Sequence, residues 1–145
     1  MASILFIDDE EVILKSISGV LRQLGYRVLE AVDGEEGLRL CKQECPDLVI
    51  TDIRMPQKSG FEIIQELRED YPEIEIIALT GVLGLSLPDM VRLGADRVFR
   101  KPVRLQALCE AIEKLLKEES SPRKRRRKSK KSPLTPREYC PVYGL

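Results

Sequence analysis

The 145-residue chain contains no histidine. That absence removes histidine-based zinc sites, Ser-His-Asp and Cys-His nucleophile systems, and any role as a histidine phosphocarrier. Chemistry must rest on carboxylates, lysines, hydroxyls or thiols. No apolar run approaches the ~18–20 residues a membrane span needs. The opening residues, Met-Ala-Ser-Ile-Leu-Phe-Ile-Asp-Asp, have neither a basic n-region nor a cleavage site, so a soluble cytoplasmic protein is expected, with no membrane partner. The four cysteines, Cys41, Cys45, Cys109 and Cys140, include no C-x-x-C pair. They are expected to be reduced and to act as small hydrophobes, not as disulfides or metal ligands.

What is present divides the chain in two. A length of 145 residues fits one ordinary domain with a short appendage. Lys and Arg total 24, as do Asp and Glu, yet residues 1–119 carry 15 basic against 23 acidic side chains, net −8, and residues 120–145 carry 9 against 1, net +8. The expected organisation is therefore an acidic folded body, 1–119, and a basic, disordered tail, 120–145.

Within the body, short β-type runs alternate with helical periodicity, the pattern of parallel βα units. Strands are expected at 3–8, 27–31, 47–52, 74–80 and 97–100. Helices are expected at 10–24, with Val12, Ile13, Ile17, Val20, Leu21 and Leu24 on its stripe, at 34–44 behind the N-cap Asp33, and at 61–71, burying Phe61, Ile64 and Leu67. Gly81, Gly84 and Pro88 crowd the next segment and predict only a short fourth helix, 86–94. A fifth helix, 103–119, closes the body through Leu105, Leu108, Ile112, Leu115 and Leu116. Five strands and five helices make an open α/β sheet, doubly wound, with helices on both faces. Ligands of such sheets sit at the carboxyl ends of the strands.

Polar residues gather at those ends. Strand one runs into Asp8-Asp9, strand three ends at Asp52, strand four at Thr80, and strand five leads into Lys101-Pro102. Clustered carboxylates are costly to keep ionised unless a cation sits among them. Oxygen donors suit a hard divalent ion such as Mg²⁺. A cation and an ammonium around one carboxylate make a device for phosphoryl transfer, where charge neutralisation is most of the requirement. Each residue also has a plainer reading: Asp8 or Asp9 as an N-cap, Asp52 as a turn residue, Thr80 as a strand end, Lys101 as a loop charge, Phe99 as a core aromatic. Their coincidence at one edge favours the joint reading.

The ordered set of Asp8-Asp9, Thr51-Asp52-Ile53-Arg54-Met55-Pro56 with Gly60, Thr80-Gly81, Gly94-Ala95-Asp96, Phe99 and Lys101-Pro102 resembles the receiver domain of two-component response regulators (CheY-like), over about residues 1–119. The resemblance implies a flavodoxin-like five-stranded parallel sheet of order 2-1-3-4-5. It also implies a phosphorelay switch that is not a turnover enzyme and that dephosphorylates itself slowly. Asp52 would be the phosphoacceptor, served by a sensor histidine kinase or phosphotransfer protein. Mg²⁺, with Mn²⁺ as a substitute, would be bound by Asp8, Asp9, Asp52 and the backbone carbonyl of Arg54. Thr80 and Lys101 would contact the phosphoryl group, Phe99 would turn inward, and Lys101-Pro102 would be a cis peptide with Pro102 in a structural role. The output surface, and a homodimer contact where one forms, would be the face of the fourth helix, fifth strand and fifth helix. A phosphohydrolase of the haloacid-dehalogenase kind also uses an aspartyl nucleophile and a lysine, but its nucleophile lies in a D-x-D motif after the first strand, and here the acidic pair is contiguous.

The tail holds eight basic residues between Arg123 and Lys131. It is expected to be a solvated linker with weak, sequence-independent attraction to nucleic acid. Leu134-Thr135-Pro136-Arg137-Glu138-Tyr139 has the capping-box order of a helix start. It resembles the opening of a LuxR-type helix-turn-helix and is read as a remnant of one.

Overall fold

The structure is a computed structural model, and it describes residues 1–55, 58–81 and 94–117. Five strands, β1 (Ser3–Ile7), β2 (Arg27–Ala31), β3 (Leu48–Asp52), β4 (Glu75–Thr80) and β5 (Arg97–Arg100), form one parallel sheet of order β2-β1-β3-β4-β5. Four helices are present among the described residues: α1 (Glu11–Gln23), α2 (Gly34–Glu44), α3 (Gly60–Asp70) and α4 (Leu105–Lys117). The last corresponds to the fifth helix expected from sequence. The expected short helix at 86–94 and the tail lie outside the described residues, as does the helix-turn-helix remnant. Elsewhere the expected elements are all present, with ends moved by one or two residues.

The strands read as near-continuous apolar runs because both of their faces are covered. Alternate residues divide between two cores. Leu5, Ile7, Val49, Ile76 and Ala78 join Cys41 of α2 and Ile63, Ile64 and Leu67 of α3. Ile4, Phe6, Leu48, Ile50, Ile77 and Leu79 join Leu14 and Leu21 of α1 and Leu108, Ile112 and Leu115 of α4. The sheet is thus sandwiched between two helical layers.

Helix ends follow local chemistry. Gly25 stops α1 with φ +98°; its N–H donates to Arg22 O at 3.0 Å and Tyr26 N–H to Leu21 O at 3.1 Å, the paired bonds of a left-handed C-terminal cap that favours glycine. Asp33 caps α2 by accepting from Glu36 N–H at 2.8 Å. Ser59 caps α3.

Three expectations are corrected. Val12 is 80% exposed and Leu24 58% exposed, whereas Leu14, Ser18 and Leu21 are buried. An apolar count along a helix does not say which arc meets the sheet, and Val12 stands about 200° round the helix from Leu14. Leu105 and Phe61 are likewise less buried than expected, Phe61 packing at the margin of its core. Cys41 and Cys109 are free thiols, but Cys45 is disulfide-bonded, which the lack of a C-x-x-C pair does not exclude.

Arg68 of α3 ties the opposite end of the sheet. Its guanidinium donates to the carbonyls of Gly94 and Ile74, both at 2.6 Å, and to the carboxylate of Asp96, which also accepts from Ile76 N–H at 2.8 Å. Gly94, at φ +110°, leaves the space the arginine occupies: a Cβ there would fall 3.0 Å from Arg68 Nε. Gly60 is required at the other end, where a Cβ would stand 2.6 Å from Ile53 Cα, against backbone that cannot yield. Gly60→Ala is therefore expected to destabilise by roughly 1–3 kcal/mol, an overpacking penalty. Gly19→Ala in α1, where a Cβ meets nothing within 4 Å, should stabilise by about 0.5–1 kcal/mol. Urea midpoints of the two variants check both signs; equal shifts would contradict the steric assignment.

Candidate functional site

Parallel topology delivers the site. The last residue pair of β1 and β3 is Ile7 with Thr51, so Asp8 and Asp52 emerge side by side one step later, where the strand order reverses. Both are buried: Asp8 is fully inaccessible and Asp52 is 3% exposed. Asp8 Oδ1 accepts from Glu10 N–H at 2.9 Å and Asp52 Oδ1 from Arg54 N–H at 3.3 Å.

Lys101 closes the arrangement. It follows β5, three strand spacings from β1, or about 14 Å at the usual separation, yet its Nζ lies 2.8 Å from Asp8 Oδ2 and 3.3 Å from Asp52 Oδ2. Its stem leans back over the ends of the intervening strands. The Lys101-Pro102 peptide is cis. Lys101 N–H donates to Thr80 O at 2.7 Å, so the lysine backbone extends the β4–β5 ladder beside the buried Thr80. Phe99, one residue before Arg100, is half-buried against the α1/α4 core and pairs with Leu79. Asp9 is exposed.

The residue that sequence reasoning missed is Glu10. Its carboxylate approaches Lys101 Nζ at 3.4 Å, and Asp8, Glu10 and Asp52 bring carboxylate oxygens within 4.8 Å of one another. Asp9 has no place in that group. Its signal was available only as a third consecutive acid, Asp8-Asp9-Glu10. All donors in the group are oxygens, which fits a hard divalent cation and not a thiophilic one.

Charge balance governs both buried partners. Burial pushes the Asp52 carboxyl up; Lys101 pulls it down, Asp8 pushes it up, the Arg54 N–H bond pulls it down, and the outcome lies above the ordinary 3.8. Burial alone would lower Lys101, but the hydrogen bond to Asp8 and the charges of Asp52 and Asp8 hold it above 10.5. A carboxyl raised on folding contributes stability below its unfolded value and loses it as pH rises through its folded value. At neutral pH without a divalent cation, ionised Asp52 is therefore a net destabiliser. Asp52→Asn is expected to raise Tm at pH 7. The difference should shrink as pH falls below the ordinary carboxyl range. Circular-dichroism melts in chelator check this, and an unchanged or lower Tm at pH 7 would mean that pairing with Lys101 outweighs burial.

Among the described residues, no helix is long and apolar enough to cross a membrane. Comparison with known proteins agrees with this architecture. The chain is 41% identical over 117 residues to a probable transcriptional regulator, ycf27, of Guillardia theta, and 38% identical over 124 residues to the transcriptional regulatory protein GlrR of Escherichia coli. These matches cover 79% and 83% of this chain but only 45% and 27% of the relatives, so the chain spans less than half the length of either. A response regulator receiver domain protein of Clostridium thermocellum superposes with a TM-score of 0.76 at 39% identity, covering 80% of this chain and 94% of the other. The response regulator TrrA of Thermotoga maritima, solved in complex with Mg²⁺ and BeF, superposes with a TM-score of 0.73 at 35% identity, covering 79% and 99%. The family model for the response regulator receiver domain matches residues 4–113. With that match over most of the chain, the protein belongs to the response regulator receiver domain family of two-component systems.

Proposed function

We propose that this receiver operates as a phosphorylation switch, with Asp52 accepting a phosphoryl group from the phosphohistidine of a sensor histidine kinase or phosphotransfer protein. One observation carries the reading: a buried carboxylate at the end of β3 has an ammonium 3.3 Å from one oxygen and a second buried carboxylate beside it. In the transfer an Asp52 oxygen bonds to phosphorus as the phosphorus–nitrogen bond to imidazole breaks. Lys101 then holds charge on the new phosphoryl oxygens. When bound, Mg²⁺ supplies the positive charge that lets an anion approach the acidic cleft. Asp9, Asp52 and the Arg54 carbonyl are the groups proposed to hold it, with Asp8 acting directly or through water.

The protein is not a turnover enzyme on this reading; its own residues assist phosphorylation and slow loss of the phosphoryl group. The reading extends to a cytoplasmic location, an output or homodimer surface that includes β5 and α4, and weak nucleic-acid contact by the basic tail. The regulators it resembles support a role in controlling transcription.

A small phosphodonor with Mg²⁺ is expected to add one phosphoryl group, read by intact-protein mass. Asp52→Asn and metal chelation should each abolish the adduct. An adduct surviving in Asp52→Asn would move the nucleophile elsewhere.

Thr80 is the proposed reporter. A phosphoryl group adds about −1.5 to −2 charge and three strong acceptors, enough to draw a nearby hydroxyl inward. Thr80→Ala is expected to remain phosphorylatable while amide shifts around Phe99 on phosphorylation fall by more than half. Shifts of full size would remove Thr80 from the switch.

A further inference from the structure

Glu10 occupies the N-cap of α1, but its side chain makes no capping hydrogen bond. Glutamate is not among the residues favoured there, whose short side chains accept from the first-turn N–H groups. Instead the backbone N–H of Glu10 holds Asp8 Oδ1 at 2.9 Å, and its carboxylate lies 3.4 Å from an ammonium 91 residues away. One residue thus fixes a buried carboxylate through its backbone and brings another to the same cleft through its side chain.

The charge count makes that second carboxylate consequential. Among the described residues, Lys101 is the one ammonium shared by the carboxylates of Asp8, Asp52 and Glu10, which leaves an excess of two negative charges in that group when all are ionised. Asp8 and Asp52 are buried, whereas the Glu10 side chain is 59% exposed. A small divalent cation keeps several waters when it binds. A half-solvated carboxylate within 4.8 Å of the buried pair is placed to accept hydrogen bonds from such waters and to add its charge without giving up its own hydration.

We propose that Glu10 is the outer carboxylate of the cation site, a positioning residue that strengthens binding of hydrated Mg²⁺ while holding the Lys101 ammonium at the cleft. The proposal rests on reading this site as a Mg²⁺-dependent phosphoacceptor. It adds Glu10, the residue after the acidic pair, to the groups that the resemblance implies.

The test is calorimetric titration of the full chain with Mg²⁺ in the absence of phosphodonor, at about 0.15 M ionic strength, where the screening length is about 8 Å. Glu10→Gln is expected to weaken Mg²⁺ binding roughly threefold to tenfold, as suits a partly screened carboxylate facing a divalent charge. Glu11→Gln removes an equal charge from the next residue, which is exposed and is not among the clustered carboxylates, and should leave the affinity within twofold of wild type. The urea midpoint of Glu10→Gln should stay close to wild type, since the side chain caps nothing and its half-exposed contact with Lys101 contributes little to stability. Equal affinities in Glu10→Gln and wild type, or equal losses in the two variants, would overturn the assignment. A wild-type protein that binds no Mg²⁺ would overturn the underlying reading of the site as well, and so is distinct from a failure of Glu10 alone.

Discussion

Two carboxylates carried out of water side by side are the constraint on which the rest of this molecule turns. Asp8 and Asp52 sit at the ends of neighbouring parallel strands, and burial together with the neighbouring Asp8 charge disfavours the ionised form of Asp52. Lys101 makes the arrangement tenable, and Lys101 comes from the far edge of the sheet. Its placement depends on β5 being held against β4. At the site end this is done by the bond from Lys101 N–H to Thr80 O, and at the other end by Asp96 N–H to Ile76 O at 2.7 Å. Arg68 secures the second end, joining α3 to the Ile74 carbonyl before β4 and to the Gly94 carbonyl and Asp96 carboxylate before β5. The cleft therefore depends on an arginine at the opposite pole of the domain.

That dependence explains what the amino-acid order discloses. Asp8, Asp52, Thr80 and Lys101 are legible because each ends an apolar run, and in a parallel sheet all such ends lie at one edge. Partition into two cores is equally legible, since alternate residues of a doubly covered strand must face opposite helical layers. Glu10 and Arg68 are not legible in this way. The Glu10 partner lies 91 residues off, and beside the nearby Ile74 carbonyl Arg68 reaches Gly94 and Asp96, 26–28 residues off; no local periodicity records which long side chain will reach a distant carbonyl or ammonium. Val12 and Leu24 fail for a different reason: they satisfy an apolar count but stand off the arc that Leu14, Ser18 and Leu21 turn to the sheet. A buried serine on that arc has no counterpart in a hydrophobic pattern.

Glycine supplies part of the specificity that hydrophobic matching leaves open. Gly60 lets α3 begin against the backbone of Asp52 and Ile53, and its own N–H donates to Ile53 O at 3.0 Å. Gly94 yields its side-chain space to the Arg68 stem. Both belong to the motif set that marks the family, and here each is explained by a close approach and not by flexibility.

In the proposed reaction the same geometry converts a local change of charge into a change of position. A phosphoryl group on Asp52 would compete with Asp8 and Glu10 for the Lys101 ammonium and would offer acceptors to the Thr80 hydroxyl. Lys101 and Thr80 are not independent responders, because the N–H of one donates to the carbonyl of the other at 2.7 Å. Thr80 pairs with Arg100, and Leu79 with Phe99. A shift at the end of β4 must therefore be accommodated along β5, the edge strand, whose residues are half-buried or exposed where those of β4 are all buried. Packing that is tight at β4 and loose at β5 gives displacement one direction in which to relax. The direction leads from the buried carboxylate toward the surface on which Phe99 lies.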